Sequence, residues 1–243
     1  MDFLRNFKLV VEFKGSKFHG WQIQSNVPTV QGEFIKVFDI LLKGIDYKFY
    51  GCSRTDAGVH AINYVASLHL RNNLKFDDVE KFRKAINSLI SRDIYVKKIE
   101  EVSPGFHARK SAKYKIYKYR VLKGFSPLRR GFVWEIAKDI DFAKLEETAK
   151  LIVGKHDFSY FSLEEGECFI YESFWRKSGD EFHFYIKGNR FLWKMVRGLV
   201  GMMIRVATGK MKVGDFLKML RKEKKENLII APPCGLYLLE VGY

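Results

Sequence analysis

Residues 47–70 read YKFYGCSRTDAGVHAINYVASLHL. A strand-like run, Tyr47 to Tyr50, leads into the polar loop Gly51 to His60. Beyond it Ile62, Tyr64, Ala66, Leu68 and Leu70 share one face against Asn63, Ser67 and His69. Alternation of this period predicts a strand with one buried face, so the stretch reads as strand, loop, strand. The loop itself holds a carboxylate, a guanidinium, two hydroxyls and two glycines within ten residues, a polar density that does not stabilise a core. Asp56 is the candidate nucleophile or base, because Arg54 two positions away can hold it ionised and Gly58 permits a turn that brings another segment close. By composition alone the same residues also read as an ordinary polar turn between two hairpin strands.

On the amino-terminal side, Phe7, Leu9, Val11 and Phe13 alternate with Lys8, Val10, Glu12 and Lys14, which predicts a further strand. The loop from Lys14 to Gln22 interleaves cations, glycines, Phe18 and Trp21; that mix suits RNA phosphate and base contacts, and equally suits aromatics capping the edge of a core. Thr29 is placed to cap a helix with the stripe Val30, Phe34, Val37, Phe38, Leu41 and Leu42, ended by Gly44. On the other side a second helix is predicted from Asp77, with Glu80 in the capping-box position and Val79, Phe82, Ile86, Leu89 and Ile90 along it. A strand over Ile94 to Val102 completes a βαββαβ order, the topology of ferredoxin-like and RNA-recognition folds.

Ser103-Pro104-Gly105 punctuates the chain and divides it into domains 1–103 and 104–243. In the second half, Lys113 to Leu122 is predicted as a central strand, since neither the Tyr117, Tyr119, Val121 face nor the Tyr114, Ile116, Lys118 face is plainly polar. Phe132 to Ile136 reads as its neighbour. A helix over Phe142 to Ile152 ends at Gly154, and His156 to Glu167 is too irregular to assign. A strand over Phe182 to Ile186, helices over Leu192 to Ala207 and Gly214 to Lys222, and a last strand over Leu236 to Val241 follow. The expected class is α+β: two ferredoxin-like or RNA-recognition-like halves sharing an extended antiparallel sheet, helices packed on one side, with a basic cleft across the middle.

Lysine and arginine number 43 against 28 aspartates and glutamates, a formal net charge of +15. Self-repulsion of that size points to an anionic partner, with nucleic acid first. The longest apolar stretches, Leu199 to Ile204 and Leu228 to Ala231, are too short to span a membrane, and no signal pattern precedes Phe7, so a cytoplasmic protein is expected. Cys52, Cys168 and Cys234 are widely spaced with no C-x-x-C pair, and the six histidines do not cluster; neither a disulfide framework nor a metal site is expected.

Several blocks carry a family resemblance. Arg54-Thr55-Asp56-Ala57-Gly58-Val59-His60, then Phe106-His107-Ala108-Arg109 with Lys115-Ile116-Tyr117-Lys118-Tyr119, then Phe191-Leu192-Trp193-Lys194-Met195-Val196-Arg197, and Gly235-Leu236-Tyr237-Leu238 resemble the tRNA pseudouridine synthase A family over nearly the whole chain. The resemblance implies isomerisation of uridine to pseudouridine at several adjacent uridines of the tRNA anticodon stem-loop, with no cofactor or metal, by a homodimer gripping one tRNA. Asp56 falls on the family's catalytic aspartate, Tyr117 on the tyrosine that stacks on the flipped base, and Arg197 on the basic residue that contacts the aspartate. Leu236 corresponds to an apolar residue closing the base pocket. Arg54, His60, Arg109 and Trp21 are taken as substrate-binding, the two arginines on phosphate through their forked donors.

Plainer readings stand beside these. Tyr117 also reads as sheet packing and Leu236 as core. Lys194, Arg197, Gly201, Arg205 and Thr208 fall within about 80° of one another at roughly 100° per residue, a stripe that suits a solvated face as well as a cleft wall. Lys110, Lys123, Arg129, Arg130 and the run Arg221 to Lys225 are expected to attract RNA regardless of sequence. A non-catalytic RNA-binding module accounts for fold, charge and aromatics without chemistry. An aspartyl phosphotransferase needs a metal site and further acidic ligands near Asp56, and none is evident.

Overall fold

The computed structural model describes residues 5–71, 76 and 78–243, and among them are ten strands and five α-helices, an α+β protein. By its internal contacts the chain forms two compact units, Met1–Lys113 with Leu238–Tyr243, and Tyr114–Tyr237.

The first unit holds β1 (Arg5–Phe13), α1 (Val30–Leu41), β2 (Tyr47–Gly51), β3 (His60–Leu70), α2 (Val79–Leu89) and β4 (Ile94–Val102), and takes in most of the last strand, β10 (Leu236–Gly242). β3 is its axis. β1 pairs antiparallel along β3, with Arg5 opposite Leu70 and Val10 opposite Val65, while β2 pairs the same residues 66–70, which places it on the other edge. β4 lies outside β1, and β10 also borders β3. Phe7, Leu9 and Val11 are buried, as the alternation of β1 predicts, whereas β3 departs from its expected single buried face. Tyr64, Ala66, Leu68 and Leu70 are buried, but so are Val65, Ser67 and His69, and Ile62 is only half-buried, because β3 is flanked by other strands and covered on both faces. From α1, Phe34 and Phe38 meet the Phe49 ring at 5.1 and 5.0 Å, and Phe82 of α2 lies 6.3 Å from Phe38. Truncating one such fully buried ring to alanine typically costs about 3–5 kcal/mol.

Local signals set the helix ends. Thr29 Oγ1 accepts from the Gly32 amide at 3.2 Å, as its position predicts. The α2 cap is Asp78, which accepts from the Glu80 amide at 3.0 Å; the predicted cap, Asp77, lies outside the described residues. In β4 the buried positions run Ile94, Val96, Ile99. Val96 pairs with Val11 and Lys98 with Val10, so Lys97 is the extra residue of a bulge that shifts the alternation by one.

The second unit holds β5 (Tyr114–Lys123), β6 (Trp134–Ile136), α3 (Phe142–Leu151), β7 (Gly154–Asp157), β8 (Glu167–Ser178), β9 (Glu181–Gly188), α4 (Met195–Ala207) and α5 (Val213–Leu220). Its strands run in the order β5-β9-β8-β7, with β6 on β5. β6 is parallel to β5, Val121 opposite Trp134, so the sheet is mixed where an antiparallel one is expected. The cause is the loop 124–133, which carries the chain back to the level of Val121 before it runs forward again; Gly124 donates to the Ile136 carbonyl at 2.9 Å where the two ends meet. β8, twelve residues long, has no counterpart in the predicted elements. Its buried positions switch from Cys168 and Ile170 to Ser173 and Trp175 across an irregularity between Ile170 and Glu172, and this broken period hides the strand.

One buried acid ties this unit together. Glu181, 7% exposed at the start of β9, accepts from Arg120 at 2.9 and 3.0 Å, from Arg129 at 3.1 Å, and pairs with His183 at 2.8 Å. Burial pushes its carboxyl upward, yet the hydrogen bonds from Arg120, His183 and Arg129 outweigh that and hold it at about 2, below the ordinary 4.5. A pKa lower in the folded state means that the folded protein binds fewer protons between those two values. The stabilisation is therefore complete above about pH 4.5 and is lost as pH falls toward about 2. We expect Glu181→Gln to lose roughly 2–4 kcal/mol at neutral pH and to flatten the acid limb of urea denaturation followed by circular dichroism; an acid limb identical to wild type would place the acid sensitivity elsewhere.

Candidate active site

The polar loop leaves β2 with its backbone already committed. The Cys52 amide donates to the Val65 carbonyl at 2.9 Å, and the Tyr64 hydroxyl donates to the Ser53 carbonyl while accepting from the Ser53 amide at 3.3 Å. A tight turn follows, in which the Val59 amide donates to the Asp56 carbonyl at 3.2 Å and Gly58 has φ +80°. The chain re-enters β3 at His60. Asp56 is half-buried, and Arg54 is exposed.

A second loop braces the first. It contains a single 3₁₀ turn, Gly15–Lys17, and runs alongside residues 54–60. The Gly15 amide donates to His60 Nδ1 at 3.1 Å, the Gly58 amide to the Phe18 carbonyl at 3.2 Å, and the Trp21 amide to the Thr55 carbonyl at 3.3 Å. Gly20 makes the approach possible: its φ is +89°, and a Cβ there would stand 2.3 Å from the Thr55 carbonyl oxygen. His60 is thereby 2% exposed and Trp21 1% exposed. The Trp21 ring stacks on Tyr64 at 4.1 Å and meets Phe49 at 5.7 Å and Phe34 at 6.2 Å, which places it in the core beneath the loop.

Arg54, Arg109 and Trp21 also share the lining of one pocket of about 680 Å³. Two further residues of that lining carry no assignment from sequence: Tyr50, at the end of β2, and His107, inside the quoted F-H-A-R block. Their rings stack with centroids 4.6 Å apart. The only sequence signal for the pair is that His107 lies within a block already singled out and Tyr50 immediately precedes another.

In the second unit, Tyr117 lies in β5, 7% exposed, with Phe191 against it edge-on at 5.1 Å. Leu236 is buried at the start of β10. The polar stripe of α4 has a cover that neither sequence reading anticipates. Arg197 Nε donates to the Ala231 carbonyl at 2.7 Å, Arg205 to the Asn227 carbonyl at 3.1 Å, and the Ala231 amide to the Arg197 carbonyl at 3.0 Å. A Cβ on Gly201 would lie 1.9 Å from the Ile229 carbonyl oxygen. Residues 227–231 thus run over the stripe, and Gly201 admits this backbone. Beside it, the Tyr119 hydroxyl donates to the Pro232 carbonyl at 2.6 Å, and burial drives its pKa well above the ordinary value.

The three cysteines are free thiols, Cys52 and Cys168 buried; burial pushes Cys168 up to about 11, which leaves it a packing residue. Among the described residues no three His, Cys, Asp or Glu side chains come together as a metal site. Nor is any helix among them long and apolar enough to cross a membrane.

Comparison with known proteins accords with the sequence blocks. Residues 148–243 match the family described as tRNA pseudouridine synthase. A tRNA pseudouridine synthase A of Thermoanaerobacter sp. (strain X514) is 36% identical over 248 residues, covering 99% of this chain and all of the relative. The protein of the same name from Dictyoglomus turgidum is 36% identical over 247 residues, again 99% of this chain, and that from Dictyoglomus thermophilum is 37% identical over 245 residues, 98% of this chain and 99% of its own. Identity at this level from end to end shows that the chain belongs to the tRNA pseudouridine synthase A family.

Proposed function

We propose that this chain is an isomerase that converts uridine to pseudouridine in the anticodon stem-loop of tRNA, with Asp56 as the reacting carboxylate. Kinship along the whole chain supports the activity and the substrate class. Within the molecule, the observation that carries the reading is the mounting of Asp56: a half-buried carboxylate whose neighbours at 55, 58 and 60 are each tied to a second loop. A group held in place by other residues' hydrogen bonds is ready to react without reorganising, which is where electrostatic catalysis gains most.

The reaction cuts the N1–C1′ glycosidic bond, rotates the uracil and joins C5 to C1′. The C5 hydrogen leaves as a proton and N1 gains one, so substrate and product have the same formula and no cosubstrate is consumed. Asp56 starts the sequence as nucleophile or base. A uridine in a stem must leave the stack, at a cost of a few kcal/mol, and an aromatic platform restores part of that loss. Tyr117 takes this part, Leu236 closes on the base, and Arg197 is the basic group of the reaction. Arg54 and Arg109 hold phosphate, while His60 and Trp21, buried as they are, serve the substrate through the loops they brace. Two ferredoxin-like halves over 1–103 and 104–243, a basic cleft, and a cytoplasmic homodimer gripping one tRNA complete the proposal.

Asp56→Asn should lower turnover by roughly 10³-fold or more while tRNA affinity stays near that of wild type, because one carboxylate contributes little to binding by a surface of net charge +15. Release of tritium from C5-labelled uridine in unmodified tRNA measures the first quantity and filter binding the second; comparable release by both proteins would remove Asp56 from the chemistry, and tight binding with no release by the wild type would leave an RNA-binding module. For Tyr117, stacking predicts that Phe keeps more activity than Ala in the same assay. Equal losses in the two variants would assign the role to the hydroxyl.

A further inference from the structure

The pocket beside the Asp56 loop offers more than the two arginines the reaction uses. Tyr50 and His107 form a stacked pair, their planes 26° apart, and His69 meets the Tyr50 ring edge-on at 5.5 Å. The His107 ring is fixed by its own backbone: Nδ1 accepts from the Arg109 amide at 3.1 Å and from the Lys110 amide at 3.4 Å, and the His107 amide donates to Ser111 Oγ at 3.0 Å. With Nδ1 an acceptor, the ring is the neutral form that carries its proton on Nε2. Burial, then the charges of Lys110 and Arg109, keep it below the ordinary histidine value. The result is a rigid, uncharged aromatic plate. Arg54, Arg109 and Lys110 stand around it, all exposed, and no carboxylate is among the residues lining the pocket. Its volume of about 680 Å³ falls in the range of sites that enclose small ligands.

We infer that this pocket takes a second unpaired nucleotide of the RNA, its base extending the Tyr50–His107 stack and its phosphate on Arg109 and Lys110. An aromatic plate with cations on its rim and no acid fits a base joined to phosphate, and it is indifferent to which base is present because every base has a π-face. Tyr50, His107 and Lys110 then position the RNA strand that flanks the isomerised uridine. Two unpaired nucleotides held on one strand fix the register of the loop, which lets shape stand in for base sequence in choosing the target. The inference rests on the reading of the chain as a uridine isomerase that extrudes its target.

The test uses the full chain and an unmodified hairpin RNA with a tRNA anticodon-arm sequence, together with copies in which one loop nucleotide at a time is abasic. Fluorescence anisotropy gives Kd, and product formation gives KM and kcat. Tyr50→Ala should raise Kd and KM about tenfold, with the loss falling on KM more than on kcat, and Tyr50→Phe should restore binding. Lys110→Gln should weaken binding more than Lys84→Gln, a charge control on the exposed face of α2. One abasic RNA should bind the wild type about tenfold more weakly yet cost the Tyr50→Ala protein nothing further, the non-additivity of a direct contact. Losses that add at every abasic position, or Tyr50→Phe binding as poorly as Tyr50→Ala, would overturn the inference. Should the wild type form no pseudouridine in any RNA, the isomerase reading fails instead, and the anisotropy cycle still decides the pocket.

Discussion

The close approach of two backbone segments, 15–21 against 54–60, is the constraint on which the Asp56 loop depends. Loops at strand ends carry amides and carbonyls that no ladder satisfies, and such groups are costly when buried. Here the neighbouring loop takes them up: Gly58 donates to Phe18, Trp21 to Thr55, and Gly15 to the ring of His60. The arrangement tolerates no side chain at residue 20, where a Cβ would stand 2.3 Å from the Thr55 carbonyl oxygen. Within the Arg54 to His60 block, Thr55, Gly58 and His60 are therefore tied to the second loop, and Arg54 and Asp56 are the two that the proposed reaction assigns to the substrate. Below the loop, Trp21 carries that order into the core through its stack on Tyr64, whose hydroxyl in turn holds Ser53. A local polar motif is thus anchored by the same ring cluster that packs α1 against the sheet.

The α4 stripe obeys the same accounting of backbone groups with the roles reversed. Residues 227–231 belong to no strand, so their carbonyls and amides need partners from elsewhere. Arg197 supplies one at Ala231, Arg205 one at Asn227, and the Met202 sulfur accepts weakly from the Ile229 amide at 3.5 Å. A helix made otherwise of Leu, Ile, Val, Met, Ala and Gly carries these arginines where residues 227–231 cross it. For Arg197 the consequence is mechanical as well: one end of its guanidinium is fixed by Ala231, which aims the rest of the group.

Much of this was legible in the sequence wherever the period ran unbroken. β1, β3, α1 and the turn between β2 and β3 follow from alternation, a helical stripe and one cap. Legibility failed where a single residue shifts the phase. In β4 the bulge at Lys97 only blurs an alternation, but in β8 the irregularity near Tyr171, together with half-exposed Phe169 and Tyr171, erases the strand. Parallel pairing of β6 was equally invisible, since the path of a loop sets strand direction and no side-chain pattern reports it. In the candidate site, the motif marks Asp56 and Arg54 as candidates from sequence alone. Trp21 and His60 read as substrate contacts because a buried aromatic and a buried imidazole look the same in sequence as exposed ones; the second loop, distant in sequence, buries both. The Tyr50–His107 stack joins residues of two separate blocks, and only the folded first unit brings them together.

Charge shows the same limit in a form that sharpens the functional reading. The total of +15 points to an anionic partner, yet it does not say where that partner is felt. Several cations expected to attract RNA already have carboxylates: Lys123 meets Asp139, Arg129 meets Asp180 and Glu181, Lys222 meets Asp157, and Lys224 meets Asp215 and Glu226. An ion pair removes one charge of each sign, so pairing leaves the net charge untouched while neutralising it locally. The excess must then be expressed where cations stand without acids beside them. The pocket lined by Arg54, Arg109 and Lys110, with no carboxylate in its wall, is such a place, and its wall includes Gly51, Ser53 and Arg54 of the loop that carries Asp56, the carboxylate of the proposed reaction. On the proposed reading, a field focused by pairing elsewhere would draw the phosphate backbone toward Asp56, and the aromatic plate of Tyr50 and His107 would give an unpaired base a reason to stay.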